Sequence, residues 1–377
     1  MDIIVKYIDE LLEKSTPEAP MWNIEKLKQG LKSKWNYIDG CMIKAVLEMY
    51  AISKDEKYLK FADDFIDYRV AEDGTIDGYS IGEKNIDNVN AGKTLFELYD
   101  ITGKEKYRKA IDLVYSQIAI MPRCESGNFW HKDIYPNQVW LDGMYMGQPF
   151  YMEYETRFND RKNYDDIFSQ FKFVIENMKN PLNGLYHAID TSKQMFWCDK
   201  VTGLSQNIWL RAIGWYSMAL LDTLDKVDNS DHKYDKECRM LQDAYVDLMN
   251  AMIRYQDESG MWYQVVNVGG MERNYLETSG SSIMAYSLLK GVRLGFLPES
   301  YRVYGEKAID GICKRYLKEK DGEMSLGGIC LVAGLGGKDN RPGTYDYYMS
   351  EPVVEDDAKG VGPFLLAYTE LLRYKKN

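Results

Sequence analysis

The sequence predicts an all-α protein, a closed toroid of six helical hairpins that forms one domain over residues 1–377. Three observations favour this fold. A polar turn, a tyrosine and an apolar helical face recur in that order five times; the helix before each turn carries apolar and small residues around much of its circumference; and no alternating strand pattern of comparable length is present. A helical bundle or solenoid without a cleft stays open as the alternative, because repeat spacing alone does not show that a ring closes.

The tyrosines of the repeated turns lie 49 to 70 residues apart, which leaves room for two helices and two loops in each repeat. They are Tyr58, Tyr107, Tyr164, Tyr234 and Tyr301. The helix that follows each tyrosine is apolar on one side only, so we expect it on the outside of the ring. The helix before each turn is expected inside, and a C-terminal pair is expected to supply the sixth hairpin. The predicted inner helices span residues 39–51, 89–99, 143–158, 211–224, 282–294 and 362–372.

Composition and charge exclude several classes of function. The net charge is −11 and no basic block is present, so a nucleic acid is not an expected partner. No apolar run approaches the roughly 20 residues of a transmembrane helix, and the N-terminus lacks a signal-peptide pattern, so we expect no membrane contact and a cytoplasmic location. The six cysteines show no ligand spacing, so no metal site is predicted. The 30 tyrosines and eight tryptophans could supply flat faces for a sugar.

The loops that lead into the inner helices are the predicted location of a functional site. In a toroid of this kind these loops gather at one end. They are rich in Trp, Gly, Asp, Ser and Arg, whereas the loops elsewhere are rich in Lys, Glu and Asp. Loops held together by a rigid scaffold commonly carry binding and catalytic residues. The glycine-rich segment 327–337 has no phosphate-loop pattern, and we expect it to be a long loop over the cleft.

Asp87 and Asp142 in these loops are candidate catalytic carboxyl groups. Asp142 follows Trp140, and apolar neighbours raise the pKa of a carboxyl group by desolvation, which suits a group that must carry a proton at neutral pH. Each residue could instead be a helix N-cap, the commoner role of an isolated Asp before a helix, and this alternative weighs more for Asp87. Two carboxyl groups in adjacent loops suggest general acid–base work on a sugar.

Two histidines and one arginine are further candidates. His131 and His187 both lie in loops that contain glycine and aromatic residues, which favours ligand contact over a purely structural role. Arg211 lies between Trp209 and Trp215. It could be a cation–π packing element, or it could bind the carboxylate of an anionic sugar.

Five segments together resemble a known family. They are IDN at 86–88, VWLDGMYMGQPF at 139–150, W-x-R-x-x-G-W at 209–215, ETSGSS at 277–282 and YYMSEPVVEDDAKGVGPF at 347–364. The chain resembles the unsaturated glucuronyl and rhamnogalacturonyl hydrolases, in particular glycoside hydrolase family 105. The resemblance implies an (α/α)6 barrel, no metal or organic cofactor, and hydration of the C4=C5 double bond of an unsaturated uronic acid in pectin lyase products.

The resemblance also implies roles for individual residues. Asp142 matches the general acid/base and Asp87 the second carboxylate. The remaining candidates match positions that contact or surround the sugar: His187, Arg211, Trp209, Trp215, Trp140, His131, Tyr37 and Met144. The chain departs from the family pattern at 187–190, where it reads HAID instead of HGWD, and at 209–211, where it reads WLR instead of WGR. These departures bear on the exact substrate.

The partner that follows from this interpretation is a small anionic oligosaccharide, bound by a monomer or homodimer. Three alternatives stay open: a related enzyme acting on another unsaturated uronide, a different enzyme on the same barrel such as an inverting glycosidase or a sugar epimerase, and a non-catalytic carbohydrate-binding barrel. Inversion would require two carboxyl groups about 6.5–9.5 Å apart across a saturated glycoside.

Overall fold

The computed structural model describes residues 3–376, and within that range the protein has fourteen α-helices and three two-stranded sheets. The helices are α1 (Ile3–Glu13), α2 (Ile24–Gln29), α3 (Tyr37–Ser53), α4 (Glu56–Asp67), α5 (Lys93–Thr102), α6 (Glu105–Ile120), α7 (Leu141–Phe158), α8 (Tyr164–Asn177), α9 (Leu210–Leu224), α10 (Asp235–Ile253), α11 (Thr278–Arg293), α12 (Arg302–Tyr316), α13 (Tyr345–Ser350) and α14 (Ala358–Lys376). A 3₁₀ helix, Ile86–Gly92, leads directly into α5. The prediction of a helical fold is confirmed.

The inner helices form a closed ring. Each of α3, the 3₁₀–α5 unit, α7, α9, α11 and α14 packs against the next, and α14 packs back against α3. The inner helices are buried on almost every side, as the sequence predicted; in α11 all residues from Thr278 to Val292 are buried. The predicted (α/α)6 barrel is therefore the observed fold, and the open solenoid is excluded by the contact between α14 and α3.

The outer helices bury a single stripe. In α4 the buried residues are Tyr58, Ala62, Phe65 and Ile66, which follow the three- and four-residue spacing of one helical face. Some of the repeated tyrosines have a structural task, because the hydroxyls of Tyr107 and Tyr301 each donate a hydrogen bond to the preceding outer helix. Tyr107 at the start of α6 donates to Asp63 of α4 over 2.5 Å.

The sixth outer helix comes from the N-terminus. Tyr58 of α4 donates to Asp9 of α1 over 2.9 Å, the same type of contact that joins α6 to α4. The other side of α1 is held by ion pairs from Lys6 to Glu319 and from Lys14 to Glu323, each at 2.8 Å. The expected C-terminal pair therefore supplies only its inner member, α14, and α1 takes the outer position beside it.

Short antiparallel ladders, which the sequence did not predict, tie the loops at the barrel entrance. β1 (Gln138–Val139) pairs with β2 (Ile189–Asp190), and β5 (Ile329–Cys330) pairs with β6 (Val353–Val354). The third sheet is the hairpin of β3 (Leu317–Lys320) and β4 (Glu323–Leu326). Two-residue strands carry too few positions for a period-two pattern to show. No helix in the described range is both long and apolar enough to cross a membrane.

Close approach of the inner helices leads to a stability prediction. A methyl group on Gly40 of α3 would lie 2.5 Å from the Cα of Ala91. We expect Gly40→Ala to destabilise the protein by about 1–3 kcal/mol, because overpacking between two backbones cannot relax by side-chain rotation. The measurement is the midpoint of urea unfolding. The control is the exposed Gly82→Ala, where the nearest atom is 3.5 Å away and a change within about 0.5 kcal/mol is expected. Equal midpoints for the two variants would contradict this packing.

Candidate active site

The N-terminal ends of the inner helices surround a cavity of about 230 Å³. Eight of the ten candidate residues from the sequence line it: Tyr37, Asp87, His131, Trp140, Asp142, Trp209, Arg211 and Trp215. His187 lies in a smaller adjoining compartment, which shares Trp140, Asp142 and Trp209 with the main cavity. The convergence of the entrance loops, expected from the ring geometry, brings residues from four inner helices to one place.

Met144 occupies a different position. It is buried in a small void behind His131, together with Ile86 and Gln148, and does not line the main cavity. Met146 lines the cavity instead. Successive helical residues are rotated by about 100°, so two residues along α7 reach the opposite face. The structure therefore places Met146, and not Met144, in the wall of the main cavity, and the substrate contact expected for Met144 stays a prediction.

Asp87 is a buried, paired carboxylate. Its Oδ2 atom lies 2.7 Å from the Nζ of Lys132, and its Oδ1 atom lies 3.5 Å from Nε2 of His131. The helix cap is supplied by Asn85, whose side chain accepts a hydrogen bond from the Asp87 backbone N–H, so Asp87 is not the N-cap. Burial alone would raise the pKa of Asp87, but the ammonium of Lys132 outweighs burial and holds the pKa below its ordinary value. Asp87 is therefore ionised at neutral pH.

Asp142 is the second residue of α7 and faces the same cavity. The N-cap position is Trp140, which makes no side-chain capping bond. Burial raises the pKa of Asp142 to about 6, and the negative charge of Asp87 adds to the increase. The two carboxyl groups thus have opposite tendencies, since Asp87 holds its charge and Asp142 takes up a proton close to neutrality. This is the separation of pKa values that acid–base catalysis uses.

Aromatic rings form one wall of the cavity. His131 stacks on Trp140 with ring centroids 4.5 Å apart, and Tyr135 stacks on Trp140 at 4.8 Å. Trp140 is held in place by a 3.0 Å hydrogen bond from its Nε1 to Gln138. Burial lowers the pKa of His131 to about 4, so its ring is neutral and belongs to the flat apolar surface.

The ring of His187 is held in place by a hydrogen bond to the backbone of a neighbouring loop. Its Nδ1 lies 2.8 Å from the carbonyl oxygen of Ser205, so the neutral ring donates from Nδ1 and leaves Nε2 as an acceptor. Burial lowers the pKa of His187 as well. The ring can therefore accept a hydrogen bond from a sugar hydroxyl without carrying charge.

Arg211 is buried, with 1% of its surface exposed, and its guanidinium is already bonded to the protein. It donates to Ser279 Oγ over 3.1 Å and to the carbonyl of Cys330 over 2.5 Å, and it lies 4.7 Å from the Trp209 ring centroid. Of the two interpretations left open by the sequence, these contacts favour the cation–π packing element. The guanidinium still contributes a positive charge to the cavity wall.

The ETSGSS segment at 277–282 holds the side chain of Arg211 in place through hydrogen bonds. Glu277 is the N-cap of α11, and its carboxylate accepts hydrogen bonds from the backbone N–H groups of Ser279, Gly280 and Cys330. The Ser279 hydroxyl donates to the same carboxylate over 2.7 Å while it accepts from Arg211. The motif therefore joins α11 and β5 to Arg211.

Two cavity cations were missed by the sequence analysis. Lys132 adjoins His131, yet a single lysine in a chain with 47 lysines and arginines gives no signal of its own. Arg341 reaches the cavity from the segment after the glycine-rich loop, and Val332 and Ala333 of that loop lie in the cavity wall. The loop does cover the cleft, as expected. No sequence signal singled out Arg341, because it does not lie in a loop that leads into an inner helix.

A helical barrel whose axial cavity combines two carboxyl groups of separated pKa values with tryptophan faces is typical of a carbohydrate-active hydrolase. The chain belongs to Glycosyl Hydrolase Family 88, whose model matches residues 8–375. It is therefore a glycoside hydrolase.

Three relatives bear on the family and the fold. A family 105 glycoside hydrolase from C. acetobutylicum is 42% identical, with a TM-score of 0.89 over 100% of this chain and 99% of the other, so the resemblance to family 105 is confirmed. The unsaturated rhamnogalacturonyl hydrolase YesR of Bacillus subtilis is 25% identical over 350 residues, 91% of each chain. The unsaturated glucuronyl hydrolase of Bacillus sp. GL1 is 14% identical with a TM-score of 0.63, over 90% of this chain and 88% of that one, and shares the barrel.

The electrostatic coupling of the carboxyl pair can be tested directly. In Asp87→Asn the pKa of Asp142 should fall below about 6 while staying above its ordinary value of about 3.9, because burial still raises it but the added charge of Asp87 is gone and Lys132 loses its partner. The measurement is an infrared titration of the carboxyl band, with the Asp142→Asn spectrum subtracted. The exposed Asp133→Asn, on the same loop, is the matched control and should leave the titration unchanged. An unshifted midpoint in Asp87→Asn would contradict the coupling.

Proposed function

We propose that this glycoside hydrolase hydrates the C4=C5 double bond of an unsaturated uronic acid at the non-reducing end of rhamnogalacturonan lyase products, releasing 5-keto-4-deoxyuronate and rhamnose. The observation that carries the proposal is the pair of Asp87 and Asp142, one held ionised and one protonated close to neutrality in the same cavity. The 25% identity with the YesR rhamnogalacturonyl hydrolase supports the substrate class. The cytoplasmic location and the monomeric or dimeric state stay predictions.

Asp142 is the proposed general acid and base. Its proton is delivered to C4, and the positive charge that develops at C5 is shared with the ring oxygen. A water molecule then adds at C5 and returns a proton to the Asp142 carboxylate. The resulting hemiketal opens when the bond from C5 to the ring oxygen breaks, which leaves a ketone at C5. The hemiacetal then left at C1 releases the second sugar as an alcohol and becomes an aldehyde. One water is consumed and the enzyme is regenerated.

Asp87 is proposed to assist without transferring the proton. Burial is the main reason that the pKa of Asp142 is raised, and the negative charge of Asp87 raises it further, which helps Asp142 to take up the proton that it donates. The same charge stabilises the cationic character at C5 as protonation proceeds. Because Lys132 holds the Asp87 carboxylate at 2.7 Å, the group is oriented before the substrate arrives.

Anion recognition is proposed to fall to the cations of the cavity wall. Lys132, Arg211 and Arg341 all line the cavity. Lys132 is engaged by Asp87, and Arg211 by carbonyl oxygens, whereas the guanidinium of Arg341 has its nearest carboxylate, Asp339, at 3.4 Å on an exposed turn. Arg341 is therefore the proposed primary contact of the uronate carboxylate. The tryptophan faces would stack on the sugar rings.

The proposed acid is tested by Asp142→Asn. An amide cannot donate a proton to carbon, so turnover should fall by about 10²–10⁴-fold while folding is unchanged. The wild-type kcat/KM should fall as pH rises through about 6, since the acid must be protonated. The measurement is loss of the near-ultraviolet absorbance of the double bond, with Asp133→Asn as the control. A variant that keeps more than a few per cent of wild-type turnover would exclude Asp142 as the acid.

The substrate class is tested with two lyase digests. Unsaturated rhamnogalacturonan oligosaccharides should lose their absorbance, and unsaturated glycosaminoglycan oligosaccharides should react far more slowly. Loss with both digests would keep the hydration chemistry and reject the pectin assignment. Loss with neither, but release of sugar from a saturated glycoside, would favour direct glycoside hydrolysis instead.

A further inference from the structure

The barrel axis has a second mouth. At the C-terminal ends of the inner helices lies a cavity of about 200 Å³ whose walls are charged. Most of its charges are paired: Lys44 with Glu48 at 2.8 Å, and Lys290 with Asp222 at 2.8 Å. Lys93 is different, because its Nζ atom is buried and has no hydrogen-bond partner within residues 3–376. A buried ammonium without such a partner is costly, so its contacts need an explanation.

The ammonium of Lys93 instead lies against an aromatic ring. Its Nζ atom is 3.4 Å from the ring centroid of Tyr145 on α7. The same ring stacks on Trp215 of α9, with centroids 4.9 Å apart and planes 9° from parallel. The Lys93 ammonium and the Trp215 indole both lie so close to the Tyr145 ring that they would clash on the same face of it. They therefore lie on opposite faces of Tyr145. Trp215 in turn lines the catalytic cavity.

We propose that Lys93 is a positioning residue, whose ammonium holds Tyr145 so that Tyr145 fixes Trp215 as a rigid wall of the sugar site. The ammonium attracts the face of the Tyr145 ring, and parallel stacking passes the constraint to the indole. The effect belongs to substrate binding, because Lys93 itself lies outside the catalytic cavity. This inference rests on the proposed function only in requiring that the cavity binds a sugar.

Lys93 can also lose its charge in the working pH range. Burial lowers the pKa of its ammonium to about 7, although Asp222 opposes the decrease. The cation–π attraction is present below that pH and is lost as pH rises through it. The charged and titratable groups that face Lys93 come from α3, α5, α7, α9 with the turn that follows it, and α11: Cys41, Lys44, Glu48, Glu97, Asp100, Glu153, Asp222, Asp225, Lys226, Tyr286 and Lys290. Substrate affinity should therefore weaken above neutrality for a reason separate from Asp142.

Kinetics of matched variants test the proposal. Lys93→Met keeps the volume and removes the charge, and KM should rise by between about twofold and thirtyfold with kcat within about twofold. Lys93→Arg keeps the cation and should recover most of the loss. Lys226→Met removes the same charge from the same cavity without touching Tyr145, and it should behave as wild type. In wild type KM should rise between pH 6 and pH 8.5, and in Lys93→Met this rise should be absent.

Tryptophan emission supplies a readout that needs no substrate. Wild type and Lys226→Met should show a pH-dependent emission change with a midpoint close to 7. Lys93→Met and Trp215→Phe should both lack it. Unchanged KM in Lys93→Met, or an emission change that survives in that variant, would overturn the proposal. If no unsaturated sugar is turned over by wild type, the proposed function fails and the emission experiment alone decides the coupling of Lys93 to Trp215.

Discussion

Packing of α14 against α3 is the contact on which the site depends. It closes a ring that begins with α3 and otherwise has two free edges. The contact is close because Gly362 has no side chain: a methyl group there would lie 3.1 Å from the backbone of Cys41. Closure creates an axis with two mouths, and the entrance loops can converge only because each inner helix enters from the same end. Asp87 and Asp142 line the same cavity because the ring closes, although they are far apart in the sequence.

Convergence alone would give two similar carboxyl groups, and the difference between them comes from one lysine. Lys132 contacts Asp87 and stabilises its charge, whereas Asp142 has the apolar end of α7 and Trp140 around it. Burial acts on both groups, so the position of the ammonium decides which one ionises. The proposed division into acid and assisting carboxylate is thus a property of three side chains acting together.

The sequence predicted those features of the fold and the site that depend on residues close together in the chain. The inner helices, the repeated tyrosine and the direction of the pKa shift of Asp142 were predicted from residues within a few positions of each other, although the charge of Asp87, distant in the sequence, adds to that shift. What it could not predict depends on distant partners. Lys132 has meaning only beside Asp87, Arg341 only after the glycine-rich loop folds over the cleft, and α1 completes the outer ring from the far end of the chain.

An acidic protein that binds an anionic sugar needs a local source of positive potential. The net charge is −11, but surface carboxylates are screened over about 8 Å at physiological ionic strength. Four of the inner helical units, namely α3, the 3₁₀–α5 unit, α7 and α9, place residues of their N-terminal ends in the wall of the catalytic cavity, and a helix N-terminus carries about half a positive charge. Their negative C-terminal ends face the other mouth, where buried lysines such as Lys44 and Lys290 are paired with carboxylates. The ring that brings the site together therefore also adds positive potential at the end where the proposed uronate binds, beside the Lys132 ammonium that keeps Asp87 ionised.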